Sequence, residues 1–196
     1  MCDRCHALGS VSFYQLLLDS SEKDPIKLFL KVAQFPAVHM HGPEHHSIVP
    51  CVLLAAYRNN GGDIRLDTVM EEAKRRGGKV PGGICGFWGV CGAAVGAGIY
   101  ASLITGSNPL SERVWSIPQT LTSRCLDAMA EVGGPRCCKR TSRIAIETAV
   151  QFTKEHFHIS MLTEKEHCTR YNENNECLHQ RCPYYGENTP QSSLPN

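Results

Sequence analysis

The sequence predicts an all-α protein, built as a glycine-rich multi-helix domain that ends in a small cysteine-rich tail stapled by metal. Apolar residues recur at spacings of three and four through most of the chain, and the alternation typical of strands is almost absent. Gly and Pro separate these periodic segments. We expect a helical Cys/His-rich domain over residues 1–160, a Cys-rich metal-binding tail over 161–185, and a disordered terminus over 186–196.

The composition excludes several classes of function. The chain has 20 Lys and Arg against 19 Asp and Glu, a formal net charge of +1, so we expect neither nucleic acid nor a membrane surface as partner. The N-terminus lacks the apolar core of a signal peptide, and no apolar run approaches the length of a membrane span. We therefore expect a cytoplasmic protein, one of anaerobic metabolism. In a reducing compartment, 11 cysteines indicate metal binding or catalysis more than disulfides.

Two amphipathic helices and then a histidine cluster are predicted for the first quarter of the chain. Apolar periodicity covers residues 11–34, and Asp24 and Pro25 are placed to start the second helix, which ends before Pro36. The next segment places four of the nine histidines within eight residues. A single histidine there would more often cap a helix, but four together favour a metal or proton-transfer site. We interpret His39 and His41 as metal ligands, and His41, His45 and His46 as catalytic.

The following helix carries the first candidate cysteine. His45 and His46 open an apolar helix that ends at the glycine pair after Asn60, and Pro50 in it frees backbone carbonyls near Cys51. We interpret Cys51 as a metal ligand. Residues 64–76 predict a half-exposed amphipathic helix whose charges form a solvated face.

The segment over residues 82–99 is the most unusual part of the chain, with seven glycines, two cysteines and no charge between Gly82 and Gly98. Glycine lets the backbone wrap a bulky group, or lets another helix approach closely. Small residues at a four-residue step predict a buried helix that begins near Cys91, where the helix dipole favours the thiolates of Cys85 and Cys91. The alternative is a tight helix contact with two inert cysteines. Besides metal binding by these two thiols, we assign a catalytic role to Cys91 and cofactor contacts to Gly86, Trp88, Gly89 and Gly92.

The C-terminal third predicts one or two helices over 111–132 and a long helix to about residue 158. The stop at Gly133-Gly134-Pro135 places Cys137 and Cys138, both candidate metal ligands, at the start of the long helix. Beyond it the chain is too polar to fold by burial, yet it carries Cys168, Cys177 and Cys182, which indicates a site for zinc or a second cluster. The fourth ligand is open among His167, His179, and the N-terminal pair Cys2 and Cys5.

These motifs resemble two families. Cys51 before Val-Leu-Leu-Ala-Ala, Cys91-Gly-Ala-Ala-Val-Gly96 and the Cys137-Cys138 pair resemble the C-GCAxxG-C-C family of redox-active proteins. The His-Met-His-Gly-Pro-Glu-His-His run with Cys85-Gly-Phe-Trp-Gly-Val-Cys91 is similar to an uncharacterised domain-of-unknown-function family of anaerobic archaea and bacteria, sometimes joined to methyltransferases. Over residues 36–185 the resemblance implies a redox or iron–sulfur centre on Cys51, Cys91 and Cys138. Pro50-Cys51-Val52 departs from the Gly-Cys-Ala of the first family.

Three hypotheses of function follow. The first is a redox or sulfur-chemistry protein with a [4Fe–4S] cluster on Cys51, Cys85, Cys91 and Cys137 or Cys138, acting on a small-molecule substrate or with an electron-transfer partner. It requires the Cys91 sulfur to lie within ligand reach of Cys51 and of Cys137 or Cys138. The second is a non-catalytic zinc-binding accessory module that serves a methyltransferase or other partner. The third is a dithiol relay or sulfur carrier without metal, on Cys137-Cys138 or on Cys85 and Cys91.

Overall fold

The computed structural model describes residues 13–186, and these residues form eight α-helices with no strand. The predicted all-α class is confirmed. Within the same residues, no helix combines the length and apolarity needed to cross a membrane. Cys2, Cys5 and all but the first residue of the predicted disordered terminus lie outside the described part. The helices are α1 (Phe13–Asp19), α2 (Pro25–Ala33), α3 (His45–Asn59), α4 (Leu66–Gly77), α5 (Ile84–Phe87), α6 (Gly92–Thr105), α7 (Ser116–Val132) and α8 (Cys138–Phe157), followed by 3₁₀ turns at Tyr171–Glu173 and His179–Arg181.

The helices begin where the sequence carries start signals. At α2, Asp24 Oδ1 accepts hydrogen bonds from the backbone N–H of Ile26 at 2.7 Å and of Lys27 at 3.2 Å, and Pro25 occupies the first helical position. Cys91 is the N-cap of α6, and Cys137 is the N-cap of α8. The predicted helix starts near these two cysteines are therefore confirmed.

The core forms around α3, which is buried on all sides from His45 to Tyr57. Helices α2, α4, α6 and α8 pack around it, and α7 packs against α6 and α8. A helix that is apolar all round is expected at the centre of a bundle, because it has no face for solvent. The largest fully buried side chains include Tyr100, Phe29, Phe152, Leu53 and Leu54.

Glycines set the closeness of α6 to its neighbours. A Cβ on Gly96 would lie 2.9 Å from Cδ of Pro50 and 3.0 Å from the carbonyl oxygen of His46, so α3 and α6 meet backbone to backbone there. On another face of α6, a Cβ on Gly98 would lie 2.2 Å from Oγ1 of Thr122 in α7. The close approach of helices predicted from the small-residue spacing is therefore present.

The segment after α8 packs on the helical core through polar contacts. Arg170 donates to the carbonyl oxygen of Ala33 at the end of α2, at 2.9 Å. The hydroxyl of Tyr184, a buried residue, donates to Glu147 Oε2 of α8 at 2.7 Å. Near residue 160, the backbone N–H of Glu164 donates to Asp24 Oδ2 at 2.7 Å. The tail is thus held against α2 and α8, although it has little apolar surface of its own.

Candidate functional site

A cavity of about 450 Å³ lies where the starts of α3, α6 and α8 converge. The glycine-rich segment around α5 and the end of α7 complete its wall. Three thiols line it, those of Cys85, Cys91 and Cys138. Two imidazoles, His45 and His46, line it as well. We call this space the first cavity.

The three thiols reach the first cavity from separate elements. Cys85 lies in the short helix α5 and is exposed, whereas Cys91 and Cys138 are half-buried at the starts of α6 and α8. The first turn of a helix carries backbone N–H groups without partners in the helix, together with the positive end of the dipole. Both features place partial positive charge at the starts of α6 and α8, where Cys91 and Cys138 lie.

The charged side chains that line the first cavity are all positive. It contains Arg136 and Arg140 but neither Asp nor Glu. Burial raises the pKa of the Cys138 thiol above its ordinary value, and the backbone N–H of Gly42 opposes that rise. A lining with cations and thiols but without carboxylates is suited to an anionic group, and in particular to one bound through sulfur.

His45 is the most constrained polar group in the first cavity, with only 1 % of its surface exposed. Its Nδ1 donates to the carbonyl oxygen of Gly42 at 3.1 Å, which fixes the tautomer. Its Nε2 is buried and has no hydrogen-bond partner in the described chain. Burial, with the neighbouring Lys139 charge adding to it, lowers the His45 pKa to about 3. His45 is therefore a neutral imidazole with an unused acceptor.

His46 forms part of the wall beside α6. Its Nδ1 donates to the carbonyl oxygen of Val80 at 3.1 Å, and burial lowers its pKa. The ring occupies the space that a side chain at position 92 would fill, since a Cβ on Gly92 would lie 2.2 Å from His46 Nε2. Position 92 therefore requires glycine, because the His46 imidazole packs directly against its backbone. The glycine-rich segment predicts such a close contact with a neighbouring group.

The other two histidines of the cluster lie away from the first cavity. His39 is exposed and bonds to Glu44, with its backbone N–H 2.8 Å and its Nδ1 3.2 Å from Oε1. His41 Nε2 is 3.0 Å from Asn174 Oδ1 and 3.1 Å from Glu176 Oε2, so its imidazole contacts the tail. The structure therefore divides the four predicted histidines, with His45 and His46 at the first cavity.

Cys51 also lies elsewhere. Its thiol is fully buried in the core between α3 and α4, where it donates to the carbonyl oxygen of Met70 at 3.9 Å. Burial raises its pKa far above the ordinary value, which suppresses the thiolate that metal binding requires. Cys51 is not in the lining of the first cavity. The redox hypothesis and the C-GCAxxG-C-C resemblance require the thiols of Cys51 and Cys91 to share one site, whereas only Cys91 lines the first cavity.

The glycine-rich segment contributes to the lining unequally. Gly86, Gly89 and Gly92, for which cofactor contacts are predicted, line the first cavity. Trp88 does not, and its side chain is 68 % exposed beside the exposed Phe87. Gly89 has φ of +69°, a conformation that glycine adopts without strain, so it turns the chain from α5 towards Cys91.

Cys137 belongs to a different space from its neighbour Cys138. It lines a second cavity of about 230 Å³, together with Cys168, Cys177 and Cys182 of the tail. Adjacent residues at a helix start point in directions about 100° apart, so two consecutive thiols do not face one site. From this geometry the sequence could have predicted that Cys137 and Cys138 line two different cavities. His167 also lines the second cavity, whereas His179 does not.

No three side chains of His, Cys, Asp or Glu in residues 13–186 are arranged as an assembled metal site. The thiols line common cavities instead. Rotation about the Cα–Cβ bond moves a cysteine sulfur between staggered positions, so the thiols of a cavity would have to change rotamer to bind one metal.

Residues 13–185 match the model of a family of unknown function, DUF5714. This agrees with the resemblance to an uncharacterised family. No curated protein and no solved structure matches the chain.

Proposed function

We propose that this chain, which belongs to the DUF5714 family by its match over residues 13–185, is an iron–sulfur protein with redox or sulfur chemistry in the first cavity. Cys85, Cys91 and Cys138 would hold the cluster. The observation that supports the proposal is that three thiols, brought from α5, α6 and α8, line one cavity with two arginines and no carboxylate.

The donor set fits this kind of group. Soft thiolates select iron–sulfur clusters or zinc, and such clusters with their thiolates carry negative charge. Arg136, Arg140 and the first-turn N–H groups of α6 and α8 supply the positive potential that offsets that charge. Three cysteines leave one position open to a further ligand, and the cluster would supply electrons or a Lewis-acidic iron there.

The first cavity has the size of a small-molecule site. Its whole volume, including the part that the cluster would occupy, is about 450 Å³, within the range of about 300–1,000 Å³ for such sites. Apolar side chains of α7, Leu126 and Met129, form part of the wall opposite the glycines. We therefore expect the substrate to be a small molecule and not a macromolecule, and to bind beside the thiols.

His45 would orient that substrate. With Nδ1–H held by Gly42 and a pKa of about 3, its Nε2 stays neutral and accepts a hydrogen bond. The bond it accepts would come from a hydroxyl, amine or thiol group of the substrate. A buried acceptor left without such a donor costs free energy, so His45 favours ligands that carry one.

The competing function is a dithiol relay on Cys85 and Cys91, which line the same cavity and are both accessible. Anaerobic purification followed by iron and acid-labile sulfide analysis separates the two. The iron–sulfur proposal predicts a coloured protein that contains both elements, and Ser at position 85, 91 or 138 lowers both. A colourless protein with a redox-titrating thiol pair would favour the relay.

Cys51→Ala provides the matched control. Its thiol is buried away from the first cavity, so the variant keeps iron and sulfide even if its stability falls. Loss of the cluster in Cys51→Ala, with retention in Cys138→Ser, would overturn the assignment of ligands.

A further inference from the structure

The second cavity gathers four of the nine described cysteines: Cys137, Cys168, Cys177 and Cys182. It lies between α2, the start of α8 and the tail, and Arg140 of α8 lines both this cavity and the first. No role was assigned to this combination by the sequence, which left the fourth partner of the tail cysteines open.

Backbone hydrogen bonds bring the tail cysteines to this place. The N–H of Cys168 donates to the carbonyl oxygen of Tyr184 at 2.6 Å, which holds Cys168 beside the chain that follows Cys182. The turn between the other two is closed by the N–H of Cys182, which donates to the carbonyl oxygen of His179 at 2.7 Å. Three cysteines from two loop segments thus line the same cavity as Cys137, the N-cap of a 20-residue helix.

The sulfur of Cys177 already accepts a backbone hydrogen bond. The N–H of His179 lies 3.4 Å from Cys177 Sγ, in a turn where His179 has φ of +46°. Such N–H groups stabilise a thiolate, and hydrogen bonds to sulfur are a recurrent part of thiolate metal sites. A positive φ at a residue other than glycine is uncommon, so the turn is held by its surroundings.

Buried positive charge points to an anion in the second cavity. Lys139, Arg140 and Arg143 all line it, with 7 %, 4 % and 3 % of their surfaces exposed. In residues 13–186 none of them forms an ion pair with a carboxylate. Nε of Arg140, and Nε and Nη1 of Arg143, are buried without a hydrogen-bond partner. Buried cations are costly unless an opposite charge accompanies them.

The protein contacts of these cations are neutral. Lys139 donates to the carbonyl oxygen of Val38 at 3.4 Å, and Arg140 donates to the carbonyl oxygens of Gly133 and Pro135 at 2.9 and 2.6 Å. Arg143 donates to the backbone of Glu166 and stacks 3.9 Å over the ring of Tyr184. Glu166 is the one carboxylate in the lining of the second cavity, and its side chain pairs with none of the three cations.

We propose that Cys137, Cys168, Cys177 and Cys182 bind one Zn²⁺ as a closed four-thiolate site that fastens the tail to α8. Each thiol gives its proton to solvent as it binds, with no change of oxidation state. Zn²⁺ with four thiolates carries a net charge of about −2, which supplies the anion that the buried cations lack. Four protein ligands leave no open position, so the site is structural.

The site has a consequence for the first cavity. Cys137 and Cys138 are joined by one peptide bond, so zinc on Cys137 fixes the start of α8 and with it the position of Cys138. The zinc site does not depend on the proposed iron–sulfur function, because its four ligands are its own, although Arg140 lines both cavities.

The test compares serine variants at the adjacent positions 137 and 138 in the full chain. Zinc per chain is measured by elemental analysis after dialysis against a weak chelator. We expect one zinc in the parent protein, and loss of most of it in Cys137→Ser and Cys177→Ser. Cys138→Ser and Cys85→Ser keep it. His167→Ala, which changes another residue of the second cavity, also keeps it.

Several results would overturn the proposal: a parent protein without zinc, zinc retained in both Cys137→Ser and Cys177→Ser, or zinc lost in His167→Ala instead. Loss of iron and sulfide in Cys177→Ser would show that the second cavity holds a second cluster and not zinc. If a serine variant does not fold, the parent protein loaded with Co²⁺ decides, since four thiolates give strong sulfur charge-transfer bands and oxygen ligands do not. Iron content reports separately on the first cavity, so either site can fail alone.

Discussion

Replacing Gly92 by Ala tests how the wall of the first cavity is built. A Cβ at this position would lie 2.2 Å from Cδ2 and Nε2 of His46 and 2.6 Å from Cε1. Ordinary contacts between such atoms are about 3.5–4.0 Å, so the imidazole must retreat by about 1 Å or more. The ring is buried and its Nδ1 is bonded to Val80, so a movement of this size, into the first cavity or elsewhere, would break that hydrogen bond.

The expected cost follows from these contacts. Overpacking of a buried site costs about 1–3 kcal/mol, and a lost hydrogen bond adds about 0.5–1.5 kcal/mol. The gain in helix propensity from Gly to Ala is at most about 1 kcal/mol and is smaller at the first residue of a helix. We expect the free energy of unfolding to fall by about 1–4 kcal/mol, or the Tm by about 2–16 °C in a chain of this size.

Gly86→Ala is the matched control in the same cavity wall. Nothing lies within 4 Å of a Cβ built on Gly86, so we expect its free energy of unfolding to stay within about 0.5 kcal/mol of the parent. The assay is urea unfolding of the metal-free proteins, followed by far-ultraviolet circular dichroism. Equal stability of Gly92→Ala and Gly86→Ala would refute the view that glycine at 92 makes room for His46.

Three further changes probe other parts of the fold. His45 is neutral when folded, with a pKa of about 3, whereas the unfolded chain takes up the proton near the ordinary value of 6.5. We therefore expect stability to fall as the pH is lowered from 7 to 5, by about 2 kcal/mol from His45 alone, and His45→Asn to flatten this dependence in urea titrations. An unchanged slope would contradict the buried neutral imidazole. Asp24→Ala removes the cap of α2 and the hydrogen bond to Glu164, so urea unfolding should show a fall of about 1–2 kcal/mol in the free energy of unfolding. Asp67→Ala, at an exposed position, is the control and should lower it by about a few tenths of a kcal/mol. Tyr100→Phe removes the buried bond to Thr153 at 2.8 Å and should cost about 1 kcal/mol in the same assay, and no loss would show that the bond is not net stabilising.

The helices could be predicted because their signals are local. Asp24-Pro25 starts α2, the glycine pair after Asn60 follows α3, and Gly133 ends α7 with φ of +77°. The two half-buried thiols of the first cavity were also predictable, since Cys91 and Cys138 each follow a stop signal and open a helix. These assignments depend on a few neighbouring residues and on backbone geometry alone.

The direction of the Cys51 side chain could not be predicted from local sequence signals. Helix α3 is buried on all sides, so its apolar pattern shows no preferred face, and the direction of any one side chain is set by its neighbours. Cys51 faces Met70 in α4 rather than the first cavity. A motif fixes the position of a cysteine along the chain, but not the element against which that cysteine packs.

The division of the histidines has a similar cause. Gly42 and Pro43 turn the chain between His41 and His45, and the turn sends the first pair and the second pair to different surroundings. His41 then meets Asn174 and Glu176, more than 130 positions later in the chain. Contacts over such separations depend on the packing of the tail, which is too polar for its pattern to reveal a docking face.

The most direct test of the iron–sulfur proposal is anomalous diffraction at the iron absorption edge, from crystals of protein that was purified and grown without oxygen. We predict an iron peak in the first cavity, within bonding distance of the sulfurs of Cys85, Cys91 and Cys138. A first cavity without iron, or an iron peak beside Cys51, would contradict the iron–sulfur proposal.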